Sequence, residues 1–420
     1  MSFLTPSRRR WFIVALIFGA MVLNYFDRQI VSILKPTLKT EFSLDDSGYA
    51  RLVNVFAICY AGMYPVAGWL VDRFGTRGVM LTGIIGWSTA CLGAGLTRTF
   101  GQLAFFRGML GMAEPLAYPA QLRAITIWCP GTMRATANSL CVSGGSIGAI
   151  LAPPLVASIA LKFNWHLAFV IPGVIGFGVA VLWWFIYRDP PVEIAAQSIR
   201  DNAATQAFTW PQLWRTRSLW GILLCRFISD PVWYFCLFWL PGYLQENSGL
   251  TLKQIGMYGW IPFLVADIGG IGSAAWSDRL VKGGTEPLRA RKIMLTVTAL
   301  CAPVCALTPH LPHAVVTLIL FSIVCAVCLS WLFSMSVVIA ETFPAANIGS
   351  VMGITAGFGT AGAILFNTYV GKMMQTVGAP QIFAIMALLH PLAMVVLWTM
   401  VRPEKPAEPK PVLVPASSFS

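Results

Sequence analysis

Charged side chains interrupt an apolar segment close to the start of the sequence, in "VLNYFDRQIV" at residues 22–31. Residues 11–23 are almost wholly hydrophobic, yet Asp27 and Arg28 follow shortly after them. An ionised group inside a bilayer costs about 2.5–3.5 kcal/mol on insertion scales, so such groups are usually paired, face a cavity and serve a function. The pair therefore predicts a site for proton transfer or anion binding.

A second acid and base lie in "FFRGMLGMAEPLAYPAQ", which contains Arg107 and Glu114. Their spacing of two helical turns places both on one helix face. Gly108 and Gly111 in the same segment are small enough to let another helix approach closely. We expect the first apolar segment to be that neighbour.

The two segments together supply two acids and two bases, which can pair as Asp27 with Arg107 and Arg28 with Glu114. An anionic substrate would compete for the arginines, and a carboxylate that loses its cationic partner in an apolar site favours its protonated form. Substrate binding and protonation would therefore promote each other. The alternative is a purely structural network. Buried ion pairs contribute little net stability, which favours the functional interpretation.

These charges stand out because the rest of the sequence is apolar. Of 420 residues, 57% are hydrophobic and 11% are charged, whereas soluble domains carry about 25% charged residues. The mean hydropathy is +0.70. A transmembrane helix needs about 20 predominantly apolar residues, and stretches of that length recur along the chain. They predict an all-α membrane protein with twelve transmembrane helices, at residues 11–34, 47–71, 78–97, 102–127, 136–161, 166–187, 218–245, 253–277, 292–309, 314–340, 349–371 and 380–401.

Basic residues are distributed unevenly about these spans. If the chain starts inside the cell, most Arg and Lys residues fall on the inner side. The outer side then has only Lys35, Lys39, Arg98, Lys162, Lys253 and Lys372. The positive-inside rule accordingly places both termini in the cytoplasm of a multi-pass protein of the cell (inner) membrane. This asymmetry accounts for the net charge of +12, so we expect the lipid bilayer, and no nucleic acid, as a partner.

A polar interval at residues 188–217 divides the spans six and six and predicts a cytoplasmic linker. We expect an N-terminal six-helix bundle at 1–187, a C-terminal six-helix bundle at 218–402 and a disordered, Pro-rich cytoplasmic tail at 403–420. The halves echo each other, since "AGWLVDRFGTR" leaves the second span and "SAAWSDRLVKGG" leaves the eighth. Repeated bundles are typical of transporters, whose substrate site lies near the bilayer midplane between the repeats.

The first of these loops resembles the signature that the major facilitator superfamily carries between its second and third spans. The matching positions are Gly68, Asp72, Arg73, Gly75 and Arg77. The Asp-Arg pair recurs in the second half, where Ala274 replaces the first glycine. A charge cluster at these helix ends can hold the two bundles together on the inside and break when they rock. The candidate gating residues are therefore Asp72, Arg73, Arg77, Asp278 and Arg279.

Two further stretches narrow the resemblance. "NYFDR" in the first span and R-x6-E in the fourth resemble the anion:cation symporter family, whose members move organic anions with protons or sodium. That resemblance implies that Asp27 and Glu114 are proton sites and that Arg28 contacts the anion. "LWGILLCRFISDPVWYFCLFWLPGYL" and "GSIGAILAPPLV" are similar to hexuronate transporters, which implies that Arg226 faces a sugar acid.

A sugar acid needs a guanidinium for its carboxylate, partners for its hydroxyls and an aromatic wall for the apolar face of its ring. The candidate substrate-binding residues are Arg28, Tyr60, Arg107, Arg226, Trp233, Tyr234, Thr360 and Asn367. Tyr60 falls where the resemblance implies a substrate-contacting tyrosine. For the aromatic residues, packing in the core or against lipid is the alternative. Asp230 and Asp267 also lie within spans, and the sequence assigns neither a role.

The sequence therefore predicts a secondary active transporter, which carries an organic monoanion, a hexuronate or related sugar acid, with protons by alternating access. Sodium is the alternative coupling ion. Alternative functions on the same fold are transport of another organic anion (an aldonate, aldarate or dicarboxylate) and metabolite or drug antiport. "GGSIGAILAPP" departs from the GPxxGG stretch usual in such antiporters.

Other function classes are disfavoured. A membrane sensor is a third class, but the linker and tail offer no signalling domain. The sequence contains no P-loop, no HExxH and no GxSxG with catalytic partners, which argues against an enzyme or an ATP-driven pump. We expect no cofactor or resident metal, and a functional monomer.

Overall fold

Helices form the regular secondary structure of residues 6–129, 131–188, 208–311, 313–344 and 347–403, the part of the chain that the computed structural model describes. Two 3-10 helices, Glu114–Leu116 and Ala302–His310, follow α4 and α13. The α-helices of this part are α1 (Pro6–Ile33), α2 (Lys35–Glu41), α3 (Asp46–Ala94), α4 (Phe100–Ala113), α5 (Ala117–Trp128), α6 (Gly131–Lys162), α7 (Trp165–Ile186), α8 (Trp210–Arg215), α9 (Arg217–Phe238), α10 (Leu240–Glu246), α11 (Leu252–Tyr258), α12 (Ile261–Lys282), α13 (Pro287–Cys301), α14 (Ala314–Thr342), α15 (Ile348–Thr376) and α16 (Ala379–Met400). The predicted all-α class is confirmed.

Ten helical segments in the described residues are long and apolar enough to cross a membrane. The other two of the twelve predicted spans, 78–97 and 102–127, are largely helical, but they are not among the segments that are long and apolar enough. In the second of them, α4 and α5 have only 14 and 12 residues, and each alone is too short for a bilayer. The twelve-span count and the cytoplasmic termini therefore stay predictions.

Prolines divide several of the predicted spans. Pro115 lies in the 3-10 helix between α4 and α5, and Pro241 and Pro262 lie in the first turns of α10 and α12. Proline has no backbone N–H to donate and clashes with the preceding turn, so it is tolerated at a helix start and interrupts a helix interior. The first interruption places Glu114 at a break in the helix rather than on a continuous face.

The loop that carries the signature motif turns at a glycine. Two predicted spans, 47–71 and 78–97, run together in α3, and Gly75 inside it has non-helical dihedral angles of φ 78 and ψ 164. A positive φ is readily adopted only by glycine, which lacks a Cβ. This position of the motif therefore has a steric reason to be glycine.

The helices pack in two groups. In the first, α1 packs against α6, and α3 packs against α4 and α7. In the second, α12 packs against α14, and α9 packs against α15 and α16. The main contacts between the groups are those of α3 with α15 and of α6 with α11 and α12. We call the groups the first and the second bundle.

The bundles touch at one end of the α3–α15 pair. Ser47 Oγ on α3 donates a hydrogen bond to the carbonyl oxygen of Gly371 on α15 at 3.1 Å. Asn54 Nδ2 donates to Thr368 Oγ1 across the same interface at 2.7 Å. A Cβ added to Gly371 would lie 2.6 Å from that of Ala50, so only glycine permits this approach.

The same two helices separate toward their other ends. A Cβ added to Gly68 on α3, or to Gly353 or Gly357 on α15, would meet nothing within 4 Å. Gly68 is separated from Ala50, and Gly353 and Gly357 from Gly371, by nearly whole numbers of helical turns. The open positions therefore lie on about the same helix faces as the residues that touch at the closed end. The space between the bundles is therefore closed at the end near Ser47 and open at the end near Gly68.

Candidate functional site

Arg28 and Glu114 form an ion pair inside the first bundle. Arg28 Nε lies 2.5 Å from Glu114 Oε2, and Arg28 Nη2 donates to Asn24 Oδ1, one turn earlier on α1, at 3.0 Å. All three residues are buried. The predicted pair of Arg28 with Glu114 is therefore confirmed, and Asn24 is a partner that the sequence analysis missed.

Aromatic rings surround the Arg28 guanidinium. Its central carbon lies 4.6 Å from the centre of the Tyr25 ring, 4.8 Å from that of Tyr60 and 5.7 Å from that of Phe56. A cation over the face of an aromatic ring is attracted by the negative face of the π-system. Arg28 Nη1 makes no hydrogen bond within the described residues, so it can bind an anion. Tyr60, predicted from the family resemblance, lies beside this group.

The predicted pair of Asp27 with Arg107 is not formed. Asp27 Oδ1 instead accepts a weak hydrogen bond from Cys91 Sγ at 3.4 Å. The Arg107 guanidinium is buried, its three nitrogens have no hydrogen-bond partner among the described residues, and its central carbon lies 4.7 Å from the centre of the Phe56 ring. Since the same ring also lies beside Arg28, Phe56 contacts both cations. Within the described part of the chain, Arg107 is thus a buried cation that forms no ion pair.

The neighbour expected for the glycine face of α4 was also wrong. A Cβ added to Gly111 would overlap the carbonyl oxygen of Phe56, and one added to Gly108 would lie 3.3 Å from Val55 Cγ1. Both contacts are with α3 rather than with α1. Because α3 occupies the glycine face, Arg107 faces α3 residues and does not reach the carboxylate on α1.

In the second bundle, Arg226 is already paired. Its Nη2 lies 2.9 Å from Asp230 Oδ2, one turn later on α9. A Cβ added to Gly359 on α15 would overlap that carboxylate, so the pair packs closely against α15. Arg226 is thus held by Asp230 in this arrangement, and its part in substrate binding stays a prediction.

Tyr234 lies on α9, which contacts α1 of the first bundle. Its hydroxyl lies 3.2 Å from Thr360 Oγ1 on α15. The structure thus brings Tyr234 and Thr360 together on two helices of the second bundle. Both are buried or half-buried, so their hydroxyls can contribute to a polar site between the bundles.

Asn367 and Trp233 lie in different surroundings. Asn367 Oδ1 accepts from Trp239 Nε1 at 3.1 Å, and Trp239 belongs to the closed end of the molecule. Trp233 packs edge-to-face on Phe263, with ring centres 6.3 Å apart, and lines a small cavity that also contains Asp267. A larger cavity of about 470 Å³ is lined by residues of the segments 93–97 and 101–106 and contains no charged side chain, so it takes no part in this site.

The predicted gating residues do not join the bundles in this arrangement. Arg77 Nη2 donates to the carbonyl oxygen of Trp184 at 2.7 Å, and Asp278 Oδ1 lies 2.6 Å from Arg291 Nη1. Each of these contacts stays within one bundle. Arg73 and Arg279 are exposed, and the Asp72 side chain lies outside the described residues. Their gating role stays a prediction for an arrangement in which this end is closed.

A charge cluster that the sequence analysis missed closes the opposite end. Lys35 Nζ lies 2.9 Å from Asp46 Oδ1 and 2.6 Å from Glu246 Oε2. Lys39 Nζ lies 3.0 Å from Asp46 Oδ1 and 3.1 Å from Glu246 Oε1. Glu246 is on α10 of the second bundle and the other three are in the first. We call these four residues the charge latch, because both lysines pair across the interface.

The charge latch is held by packing as well as by charge. Lys35 Nζ lies 4.7 Å from the centre of the Trp239 ring and 5.3 Å from that of Tyr49, and the Lys35 stem fills the space where a side chain on Gly242 would lie. Burial lowers the pKa of Lys39, but its hydrogen bonds with Asp46 and Glu246 outweigh this and raise the pKa above its ordinary value. Lys39 therefore keeps its charge throughout the neutral range. The only sequence signal was two lysines one helical turn apart on the sparsely charged outer side.

The protein family described as Major Facilitator Superfamily matches residues 17–290 and 285–418. Among curated proteins, the hexuronate transporter of Escherichia coli (strain K12) is 29% identical over 419 residues, which cover 95% of each chain. The galacturonate transporter of Dickeya chrysanthemi is 33% identical over 274 residues, or 62% of this chain and 79% of its own. The probable L-galactonate transporter of Escherichia coli (strain K12) is 31% identical over 310 residues, or 71% of this chain and 68% of its own.

Solved structures show the same fold. A D-xylose-proton symporter has a TM-score of 0.77 at 16% identity and covers 93% of this chain and 98% of its own. A bacterial homolog of the human lysosomal transporter Spinster, in an inward-facing and occupied conformation, has a TM-score of 0.75 at 17% identity and covers 94% of this chain and 97% of its own.

Proposed function

We propose that this chain, which belongs to the Major Facilitator Superfamily, is a secondary active transporter that moves a hexuronate or related sugar acid across the cell (inner) membrane together with protons. The observation that carries the proposal is the Arg28–Glu114 ion pair, which is buried in the first bundle beside three aromatic rings. The relatives are named a hexuronate transporter, a galacturonate transporter and a probable L-galactonate transporter, and these names support a sugar acid as the substrate.

The buried charges of the first bundle favour coupling to a proton. Asp27 and Glu114 supply two negative charges, and Arg28 and Arg107 supply two positive charges, so these four groups balance when all are ionised. A monoanionic substrate adds one negative charge to a buried site, where an uncompensated charge is costly. One proton on an acid restores the balance.

Arg28 and Glu114 are the groups at which substrate binding and proton uptake would begin. Arginine binds carboxylates through two parallel hydrogen bonds, and on the Nε–Nη2 edge of Arg28 these donors are held by Glu114 and Asn24. A substrate carboxylate that takes this edge would displace Glu114 from Arg28. The displaced acid, left buried without its cation, would then take up the proton.

Alternating access is supported by the asymmetry between the two ends. The charge latch and the contacts of α3 with α15 close one end, whereas the same helices leave space at the other. In the predicted topology the open end faces the cytoplasm, so the arrangement corresponds to release of substrate into the cell. The motif residues at that end would pair across the bundles only after they rock.

The test is uptake by purified protein in liposomes. Glu114→Gln removes the proton site while keeping the size of the side chain. We expect it to abolish accumulation of labelled D-galacturonate driven by a pH gradient, while exchange of labelled for unlabelled substrate persists. The control is Glu41→Gln, because Glu41 is an exposed residue of α2 outside both the site and the charge latch, and we expect it to leave uptake unchanged.

The outcomes separate the parts of the proposal. Accumulation by Glu114→Gln at the wild-type level would reject Glu114 as the proton site. Accumulation driven by a sodium gradient at equal pH would assign sodium as the coupling ion. Wild-type protein that neither accumulates nor exchanges any sugar acid would reject the substrate class.

A further inference from the structure

A small cavity lies between the bundles, next to the Arg28 site. Its volume is about 50 Å³, and residues from both bundles line it: Tyr25, Gly145 and Ser146 from the first, Trp233, Phe263 and Asp267 from the second. The Tyr25 ring that forms one wall also lies 4.6 Å from the Arg28 guanidinium carbon. The cavity and the cation therefore share a wall.

Asp267 is a carboxylate without a cationic partner among the described residues. Its Oδ1 accepts a hydrogen bond from Ser146 Oγ at 2.7 Å, across the interface between α6 and α12, and no described residue forms an ion pair with it. A carboxylate has about four lone-pair sites for hydrogen bonds, so most of its capacity is unused. Asp267 is also half-buried in a helix long and apolar enough to cross a membrane, where such a group is costly to retain without a function.

The walls beside Asp267 are aromatic. Trp233 and Phe263 pack edge-to-face at 6.3 Å, and both border the cavity. An aromatic face next to a carboxylate suits a polyhydroxylated ligand, since the ring takes the apolar C–H face and the carboxylate accepts from hydroxyl groups. A carboxylate would repel a second acid group placed at the same point.

On the basis of the proposed function, we propose that Asp267 recognises the hydroxyl end of the sugar acid and excludes dicarboxylates. The substrate lies with its carboxylate at Arg28 and its far hydroxyls at Asp267, with Trp233 along its apolar face. The cavity in this arrangement has room for only a few water molecules. Because the Ser146–Asp267 hydrogen bond crosses the interface, it breaks when the bundles move apart, and a substrate hydroxyl then replaces Ser146 as the donor.

The test uses two competitors that differ only at one end. D-galactonate ends in a hydroxymethyl group where galactarate has a second carboxylate. Labelled D-galacturonate uptake is measured in liposomes with wild type and with Asp267→Asn, which keeps the shape and removes the charge. We expect galactarate to compete poorly with wild type, and its potency relative to D-galactonate to rise roughly tenfold or more in Asp267→Asn, since like-charge contacts are strongly unfavourable.

Ser146→Ala is the matched control, because it removes the donor to Asp267 without changing its charge. We expect Ser146→Ala to keep the wild-type discrimination against galactarate. If Asp267 acted only through its hydrogen bond with Ser146, this variant would lose the discrimination as Asp267→Asn does. Galactarate that competes no better with Asp267→Asn than with wild type overturns the charge filter and leaves the proposed function standing. Wild-type protein that takes up no D-galacturonate refutes both.

Discussion

Replacing Glu246 by Gln should open the end of the molecule that is closed here. Glu246 is the residue of the second bundle in the charge latch, and its pairs with Lys35 and Lys39 exist only while the bundles touch at this end. A glutamine keeps the size of the side chain and loses the charge. The substitution therefore destabilises the closed arrangement and leaves the open one unchanged.

The size of the effect follows from burial. The Lys35 side chain is 2% exposed and that of Glu246 is 26% exposed, so their pair lies between a buried and a surface ion pair. Hydrogen bonds to charged groups contribute about 1.5–3 kcal/mol, whereas exposed pairs contribute about 0.2–1 kcal/mol. A combined loss of about 1.5–3 kcal/mol lowers the ratio of closed to open protein by roughly 10- to 100-fold, since about 1.4 kcal/mol is a factor of ten.

Labelling of a buried thiol measures this ratio. Ala50 is 3% exposed at the closed interface, so a cysteine in its place reacts with a membrane-impermeant maleimide only when this end opens. The background replaces Cys59 and Cys301, which are half-buried and exposed, by Ser. If opening and closing are fast, the labelling rate rises in proportion to the open population, so Glu246→Gln should label roughly 10- to 100-fold faster than its parent.

Asp46 supplies the control. It contacts the same two lysines as Glu246 but belongs to their own bundle, so Asp46→Asn removes pairs that persist in both arrangements and should not accelerate labelling. Equal acceleration by Asp46→Asn and Glu246→Gln would show that pairing across the bundles does not hold this end closed. An unchanged rate in Glu246→Gln would refute the latch altogether.

Two further predictions concern packing and substrate binding. Gly111→Ala should lower the melting temperature in detergent, because the added methyl overlaps a backbone carbonyl of α3 and overpacking costs about 1–3 kcal/mol. Gly101→Ala, on the same helix with nothing within 4 Å, is the control, and equal melting temperatures would contradict the close packing. Arg28→Ala should raise the KM for D-galacturonate roughly tenfold or more and more than Arg226→Ala does, because the proposed site places the substrate carboxylate at Arg28, among three aromatic rings. A larger effect of Arg226→Ala would move the clamp to the second bundle.

Hydropathy was sufficient to locate the helices. The predicted span 349–371 lies within α15, and the predicted span 380–401 extends only one residue beyond α16. A long apolar stretch in lipid must satisfy its own backbone hydrogen bonds, and it does so as a helix. The interruptions were missed, as at Pro115 and Pro241, since apolar residues continue on both sides of each proline and the hydropathy does not change there.

Charge pairing could be predicted only in part. Arg28 with Glu114 was foreseen, whereas Asp27 with Arg107 was not formed. Sequence spacing places two charges on one face of one helix, but it does not say which neighbouring helix that face meets. The contact of Gly111 with α3 rather than α1 decided the outcome.

The sequence by itself determined that this is an all-helical membrane protein with rare charges in its apolar segments, and its motifs pointed to the superfamily. These properties follow from the order of residue types along the chain and the cost of charge in lipid. The tertiary structure decided which charges meet, which end is closed and where Asp267 lies. Lys35 and Glu246, or Ser146 and Asp267, are more than a hundred residues apart in the chain, and only the packing of one bundle against the other brings such pairs within hydrogen-bonding distance.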